Sequence, residues 1–217
     1  MASDWEYGGA YQRHPVEGKR VVFSDGSIVQ PHNIFQPLPE FMLSADLLFI
    51  DPPWNIGNVK SFYTKAGRND FPAEFSRFYS RLFACIADIK PRACYVEAGK
   101  EYLAEFIMEM KRLYRSVTFY NSTYYHRSEN LCYVIRGSAK RQKLPLEGMD
   151  EEDVIRWLCT HEEYDCIGDL CMGRGLVGLN ANANGRRFVG TELNHRRLAV
   201  LVDKLAAKGE TYEVSPL

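Results

Sequence analysis

The chain has 217 residues, 46% of them hydrophobic and 25% charged, and 27 Lys and Arg against 28 Asp and Glu leave a formal net charge of −1. This is the profile of one globular unit that buries roughly 70% of its unfolded surface, which excludes disorder, coiled coil and collagen. A near-neutral balance also argues against a surface that is basic all over, while leaving room for a local basic patch.

In chain order, candidate strands fall at 20–23, 27–29, 46–50, 93–97, 117–124, 131–136, 164–170 and 187–191, and candidate helices at 73–89, 100–114, 151–160, 176–184 and 195–208. Strand and helix alternate, which predicts an α/β layer fold with a largely parallel sheet. Leu103, Phe106, Ile107, Met110 and Leu113 form an i, i+3, i+4, i+7 stripe that packing explains. The runs 117–124 and 131–136 predict an antiparallel hairpin at one sheet edge. Two segments break the alternation: 57–70 reads as a mobile loop, and 137–148 as a basic linker between two functional halves, about 20–136 and 150–208.

The six cysteines (Cys85, Cys94, Cys132, Cys159, Cys166, Cys171) form no C-x-x-C pair, and the five histidines have no ligand spacing, so no metal is expected. No apolar run approaches about 18 residues and no signal peptide is apparent, so neither a membrane span nor export is expected, and the cytoplasm is the expected compartment.

Two constellations carry chemistry. Gly173-Arg174-Gly175-Leu176-Val177-Gly178 follows a short strand, and Glu192 ends the next one. Glycines let a backbone approach a ligand at a strand-to-helix turn, and an acid at the following strand end accepts from a ribose diol. The layout fits a nicotinamide dinucleotide or S-adenosylmethionine; Asp169, just ahead of the glycines, suits the amino group of the second.

The other constellation is Asp51-Pro52-Pro53-Trp54-Asn55 after the apolar run 47–50. Two prolines remove two backbone donors and leave carbonyls without ladder partners. An acid, free carbonyls and an indole are thus held at the C-terminal edge of a sheet, where open α/β folds bind ligands. An exocyclic amine needs such a corner to be alkylated: acceptors draw its N–H protons and free the lone pair, while an aromatic face clamps the ring.

The segment from Asp51 to Gly57 resembles the catalytic motif of the amino-methyltransferases that modify adenine N6 in DNA. Residues 169–178 followed by 185–194 resemble their S-adenosylmethionine motif and the ribose-binding acid after it, and the order, catalytic motif first, is that of the permuted β group. Phe23-Ser24-Asp25-Gly26 and Pro37-Leu38-Pro39-Glu40 resemble that group's entry segment, so the likeness spans about residues 20–208. The chain departs from the family at Cys171, at Leu176-Val177 and in lacking the Lys-Pro element before the cofactor motif.

The resemblance implies a Rossmann-like S-adenosylmethionine-dependent methyltransferase fold in a single domain over 1–217, mostly parallel with an antiparallel hairpin at one edge. It implies Asp51, Pro52, Pro53 and Trp54 as the catalytic set, and Asp169, Leu170, Cys171, Gly173, Gly175, Glu192 and Asn194 around the cofactor. The substrate would be duplex DNA with a flipped adenine. The length leaves no separate target-recognition domain, so DNA contacts would fall to Asn55, Lys60, Lys65, Arg68, Arg127, Lys140, Arg141 and Lys143, with relaxed specificity or help from a second subunit or a homodimer. Two other readings are an RNA adenosine N6-methyltransferase and a non-catalytic methyltransferase-like subunit that binds nucleic acid. A nicotinamide oxidoreductase has no use for the Asp-Pro-Pro-Trp corner.

Overall fold

A computed structural model describes residues 7–217. One nine-stranded mixed sheet runs through it, in the order β5-β6-β4-β3-β7-β8-β2-β1-β9. The strands are β1 (Lys19–Phe23), β2 (Ile28–Pro31), β3 (Leu47–Ile50), β4 (Ala93–Ala98), β5 (Ser116–Tyr124), β6 (Arg127–Ser138), β7 (Cys166–Asp169), β8 (Arg187–Glu192) and β9 (Tyr212–Pro216). The helices are α1 (Ala10–Arg13), α2 (Ile56–Lys65), α3 (Phe75–Ile89), α4 (Leu103–Leu113), α5 (Glu151–His161), α6 (Leu176–Ala183) and α7 (His195–Ala207).

The central five strands, β4-β3-β7-β8-β2, are parallel. They are also the most uniformly apolar: all four residues of β3 and all six of β4 are buried, as a strand covered on both faces requires. Leu47 and Phe49 belong to a core shared with α1, α5, α6 and α7, whereas Leu48 and Ile50 belong to one shared with α2, α3 and α4. The period-2 alternation of β3 therefore divides a three-layer α/β/α sandwich. The expected Rossmann-like α/β fold is the fold observed. Among the described residues no helix is long and apolar enough to cross a membrane.

Three features differ from the sequence expectation. The segment 57–70 is largely helical: Asn55 caps α2 by accepting from the Asn58 N–H at 2.9 Å, and Val59 and Tyr63 bury an i, i+4 pair. Gly57 in the first turn masks that signal. Antiparallel pairing occurs at both sheet edges, through β5 and β6 on one side and through β1 with β2 and β9 on the other. β9 is mostly exposed and carries no apolar run, so only its pairing with β1 reveals it. The segment 137–148 starts beside the N-terminal end of β4, where Ser138 pairs with Ala93, and packs back along β5 through Gly148 N–H to Asn121 O at 2.8 Å.

Phe106 on α4 is 1% exposed and its ring meets Phe75, Tyr79 and Phe83. Phe106→Ala should cost about 3–5 kcal/mol. Urea unfolding should show this as a lower midpoint with an unchanged slope.

Candidate functional site

The chain leaves β3 toward β4 on one side of the sheet and enters β7 toward β8 on the other, so the strand order reverses between β3 and β7. Beyond the carboxyl ends of these strands lies a cavity of about 540 Å³, at the position where open α/β sheets bind ligands.

Side-chain parity brings acids to this edge, Asp51 and Asp169 into the cavity wall and Glu97 beneath it. Leu47 and Phe49 point to the α5–α7 layer, and Asp51 continues their row; Ala93 and Tyr95 do the same for Glu97, and Ile167 for Asp169. Ile50 pairs with Val96, so Asp51 and Glu97 follow side by side across the ladder. Glu151, the first residue of α5, comes in from above. The carboxylates of Asp51, Glu97 and Glu151 each offer an oxygen within 4.8 Å of the others, a group compact enough for shared protons or for a metal ion.

Asp51 is held by two donors. The Tyr124 hydroxyl donates to its Oδ2 at 2.8 Å and the Trp54 indole Nε1–H to its Oδ1 at 3.3 Å. The Trp54 and Tyr124 rings meet edge to face, with centroids 5.6 Å apart. Trp54 also lies against Gly99, where a Cβ would come to 3.0 Å from the indole, a contact tight enough that the ring would have to shift. Burial pushes the Asp51 carboxyl up to about 6, and the Tyr124 and Trp54 hydrogen bonds and the charge of Arg197 oppose that rise. Burial, then the charges of Asp51 and Asp150, push Glu151 up to about 8. Glu97, fully buried with no hydrogen-bond partner on either oxygen, is raised well above the usual carboxylate range by burial and by Asp51 and Glu151.

The glycine turn forms the opposite wall. The Gly173 N–H donates to Glu192 Oε2 at 2.7 Å and the Asn194 N–H to Oε1 at 2.9 Å, so the acid ending β8 is oriented by backbone. Asp169 accepts from the Cys171 N–H at 2.9 Å, and burial raises it well above its ordinary range. Gly175 sits at φ +80° at the start of α6, and a Cβ there would come within 2.7 Å of Leu201, so the turn needs glycine for both conformation and space.

Of the residues singled out in the sequence, the cavity is lined by Asp51, Pro53, Asp169, Leu170, Cys171, Gly173, Glu192 and Lys65. Pro52, Trp54 and Gly175 do not line it; Trp54 bears on it through its contacts with Asp51 and Tyr124. Asn194 caps α7 by accepting from the Arg196 N–H at 3.0 Å and donates to the Lys65 carbonyl at 3.2 Å, which ties α2 to α7. Asn55 caps α2 and reaches Glu101, Lys60 lies over the Phe71 ring, and Arg68 is paired with Asp70 at 2.6 Å. Arg127 follows the two-residue turn Tyr125-His126, whose φ angles are +61° and +53°, at the cavity end of the hairpin. Lys140, Arg141 and Lys143 are not brought to this edge. They follow Ser138, and the six residues of β4 at about 3.3 Å each put the two ends of the sheet about 20 Å apart.

Sequence reasoning passed over Tyr124, Glu97 and Glu151. Glu97 carried a signal, a carboxylate inside the otherwise apolar run from Ala93 to Ala98. Glu151 reads as an ordinary acid in a helix first turn, and Tyr124 as a strand aromatic.

No protein-family profile matches the chain, and no curated protein matches it. Solved structures resemble it in fold. Among them is M1.HpyAVI in a complex with SAM, with a TM-score of 0.57 at 12% identity over 82% of this chain and 98% of that one. TTHA0409, a putative DNA modification methylase from Thermus thermophilus, has a TM-score of 0.58 at 12% identity over 83% and 94%. PvuII DNA methyltransferase, cytosine-N4-specific, has a TM-score of 0.52 at 10% identity over 79% and 84%.

The raised acids set a pH dependence. A carboxyl whose folded value lies above its unfolded value favours the native state below about pH 4 and loses that contribution as pH rises through the folded value. For Glu151 that window is about pH 4 to 8. Urea unfolding at pH 5 and pH 8.5 should show the native protein losing stability with rising pH, and Glu151→Gln losing less over the same interval.

Proposed function

We propose that this chain transfers a methyl group from S-adenosyl-L-methionine to the N6 amine of adenine in DNA. The observation that carries the reading is the meeting, around one cavity, of the half-buried acceptor Asp51 at the end of β3 with two acids, Asp169 and Glu192, at the ends of β7 and β8. The fold likeness to M1.HpyAVI in its SAM complex supports the cofactor, and the likeness to DNA methyltransferases supports the substrate. The resemblance of the Asp51 to Gly57 segment supports adenine.

The residues fit the cofactor chemically. Glu192, its oxygens fixed by two backbone N–H groups, would accept from the ribose hydroxyls, and the buried Asp169 would face the cationic amino acid end. Leu170, Cys171, Met172 and Ile155 supply apolar wall for a purine. When bound, S-adenosylmethionine supplies an electrophilic methyl group on a sulfonium.

The chain's own part is to prepare the nucleophile. An exocyclic amine shares its lone pair with the ring. Asp51 accepts one N–H and a proline carbonyl of the corner the other, which returns the pair to nitrogen. Tyr124 and Trp54 keep the Asp51 oxygens aimed while this happens. The amine that has accepted the methyl group would be cationic, and Asp51, with a carboxyl near 6, would take the proton it releases and return it to water. The base would be flipped out of the duplex and held against Tyr124 and Tyr125 at the cavity, with Trp54 meeting Tyr124 edge to face. Specificity would be short or relaxed, or completed by a second subunit.

Tritiated methyl transfer to unmethylated duplex DNA, followed by nucleoside analysis, tests this. N6-methyladenine should be the product, and Asp51→Ala should lower the rate by about 10²- to 10³-fold. A wild type as inactive as Asp51→Ala would end the reading, N4-methylcytosine would move it to the other amine, and preference for single-stranded RNA in the same tube would move it to RNA.

The geometry also ranks the basic residues. Lys60→Glu with Lys65→Glu should weaken DNA binding and reduce the slope of log K against log salt by about 1 for each phosphate that the protein no longer neutralises. Changing Lys140, Arg141 and Lys143 together should leave that slope nearly unaltered.

A further inference from the structure

Glu151 is 8% exposed and lines the cavity beside Asp51. The groups that act on it are acidic: Asp51 from the end of β3, Asp169 from the end of β7, and its chain neighbours Asp150, which caps α5, and Glu152. Glu97 completes the group from β4. Its two oxygens, wholly buried, find no partner, and its neighbour is the weakly donating Cys132 thiol. His126, from the hairpin turn, approaches Asp150 at 3.5 Å and Glu152 at 3.9 Å rather than Glu151. Arg197 acts on Asp51 and Glu192.

Three carboxylates within 4.8 Å of one another, two of them buried and the third, Asp51, half-buried, with Arg197 acting on Asp51 alone of the three, do not all stay ionised. Like charges at such separations repel strongly when little water lies between them. The group must share protons, and a protonated carboxyl is a hydrogen-bond donor.

The proposed substrate calls for such a donor. The edge of adenine that carries the N6 amine also carries the ring nitrogen N1, an acceptor with no hydrogen. Asp51, Asp169 and the proline carbonyls are acceptors, and the Tyr124 hydroxyl hydrogen is already given to Asp51. Glu151 stands beside Asp51 on the same wall and is the more exposed of its two acidic neighbours. We propose that Glu151 acts as a neutral carboxylic acid that donates a hydrogen bond to the ring nitrogen beside the target amine. Asp51 and Glu151 then read the donor–acceptor edge of the base as a pair. Adenine and cytosine present an amine next to an unprotonated ring nitrogen and satisfy both groups. Guanine and thymine carry a ring N–H at the corresponding place and leave one donor facing another.

This rests on the methyl-transfer reading for its substrate, but one readout stands apart from activity. Infrared spectra of the intact protein at pH 7 should contain the carbonyl band of a neutral carboxylic acid, and that band should weaken in Glu151→Gln. A spectrum in which Glu151→Gln removes only ionised carboxylate signal overturns the proposal. The second readout is methyl transfer to oligonucleotides whose adenines are replaced by 1-deazaadenine, which keeps the amine and exchanges N1 for C–H. Wild type should lose about 10- to 100-fold in kcat/KM on this substrate, the cost of a buried donor left unpaired. Glu151→Ala should lose a similar factor on ordinary adenine and then treat the two substrates alike. Glu151→Gln, whose amide still donates, should lose less than Glu151→Ala and keep the preference. If Glu151→Ala discriminates as well as wild type, the proposal is wrong while methyl transfer stands; if wild type methylates neither DNA, both fall. Calorimetric binding of manganese that disappears in Glu97→Gln would put a cation where the shared proton is proposed, and would also overturn it.

Discussion

The organising constraint in this molecule is the placing of several carboxyl groups out of water at the carboxyl ends of adjacent parallel strands. A parallel ladder keeps neighbouring strands in step, so side chains of one parity emerge on one face. Asp51, Glu97 and Asp169 all belong to the row that faces α5–α7. The rest of the site serves that row. β5 extends to Tyr124 so that its hydroxyl reaches Asp51, α5 begins at the cavity wall with Glu151, and the turn before α6 passes close enough for its N–H to reach Glu192.

Burying like charges is costly, and the fold meets the cost unevenly. Asp51 has two side-chain donors and Glu192 two backbone donors. Asp169 has one backbone donor, and Glu97 has neither a hydrogen-bond partner nor exposure. A stability-optimised interior would replace such a group with a hydrophobe. Acids retained in this state sit at the proposed reaction centre, which is where perturbed carboxyl groups concentrate. The proposed cofactor, a cation, also suits a cavity whose walls are acidic.

Net neutrality is compatible with a nucleic-acid substrate because the basic residues need not cover the surface. Lys60 and Lys65 lie on α2, Arg68 three residues beyond its end and Arg127 at the hairpin turn, and Lys65 lines the cavity itself. Arg136, in contrast, is buried and spends its guanidinium on Tyr95, Ser138 and Gln142. The basic run after it, which has the higher linear charge density, lies at the other end of the sheet. Linear clustering of charge is a poor guide to the working face, because β6 carries the chain the full length of the sheet between one cluster and the other.

The alternation of apolar runs and amphipathic stretches determined the α/β class, and Asp51-Pro52-Pro53-Trp54 together with Gly173 to Gly178 identified both ends of the cavity. These were legible because each depends on local chemistry: strand parity, proline's missing donor, glycine's freedom at positive φ. α2 was hidden by a glycine in its first turn, and β9 by its exposure. What only the tertiary structure decided was which acids meet. Glu97 is 46 residues from Asp51 and Glu151 is 100 residues away, and they come together because Ile50 pairs with Val96 and α5 starts above both. A shared proton, a raised carboxyl and a hydroxyl aimed at Asp51 are properties of distances across strands, and no linear spacing encodes them.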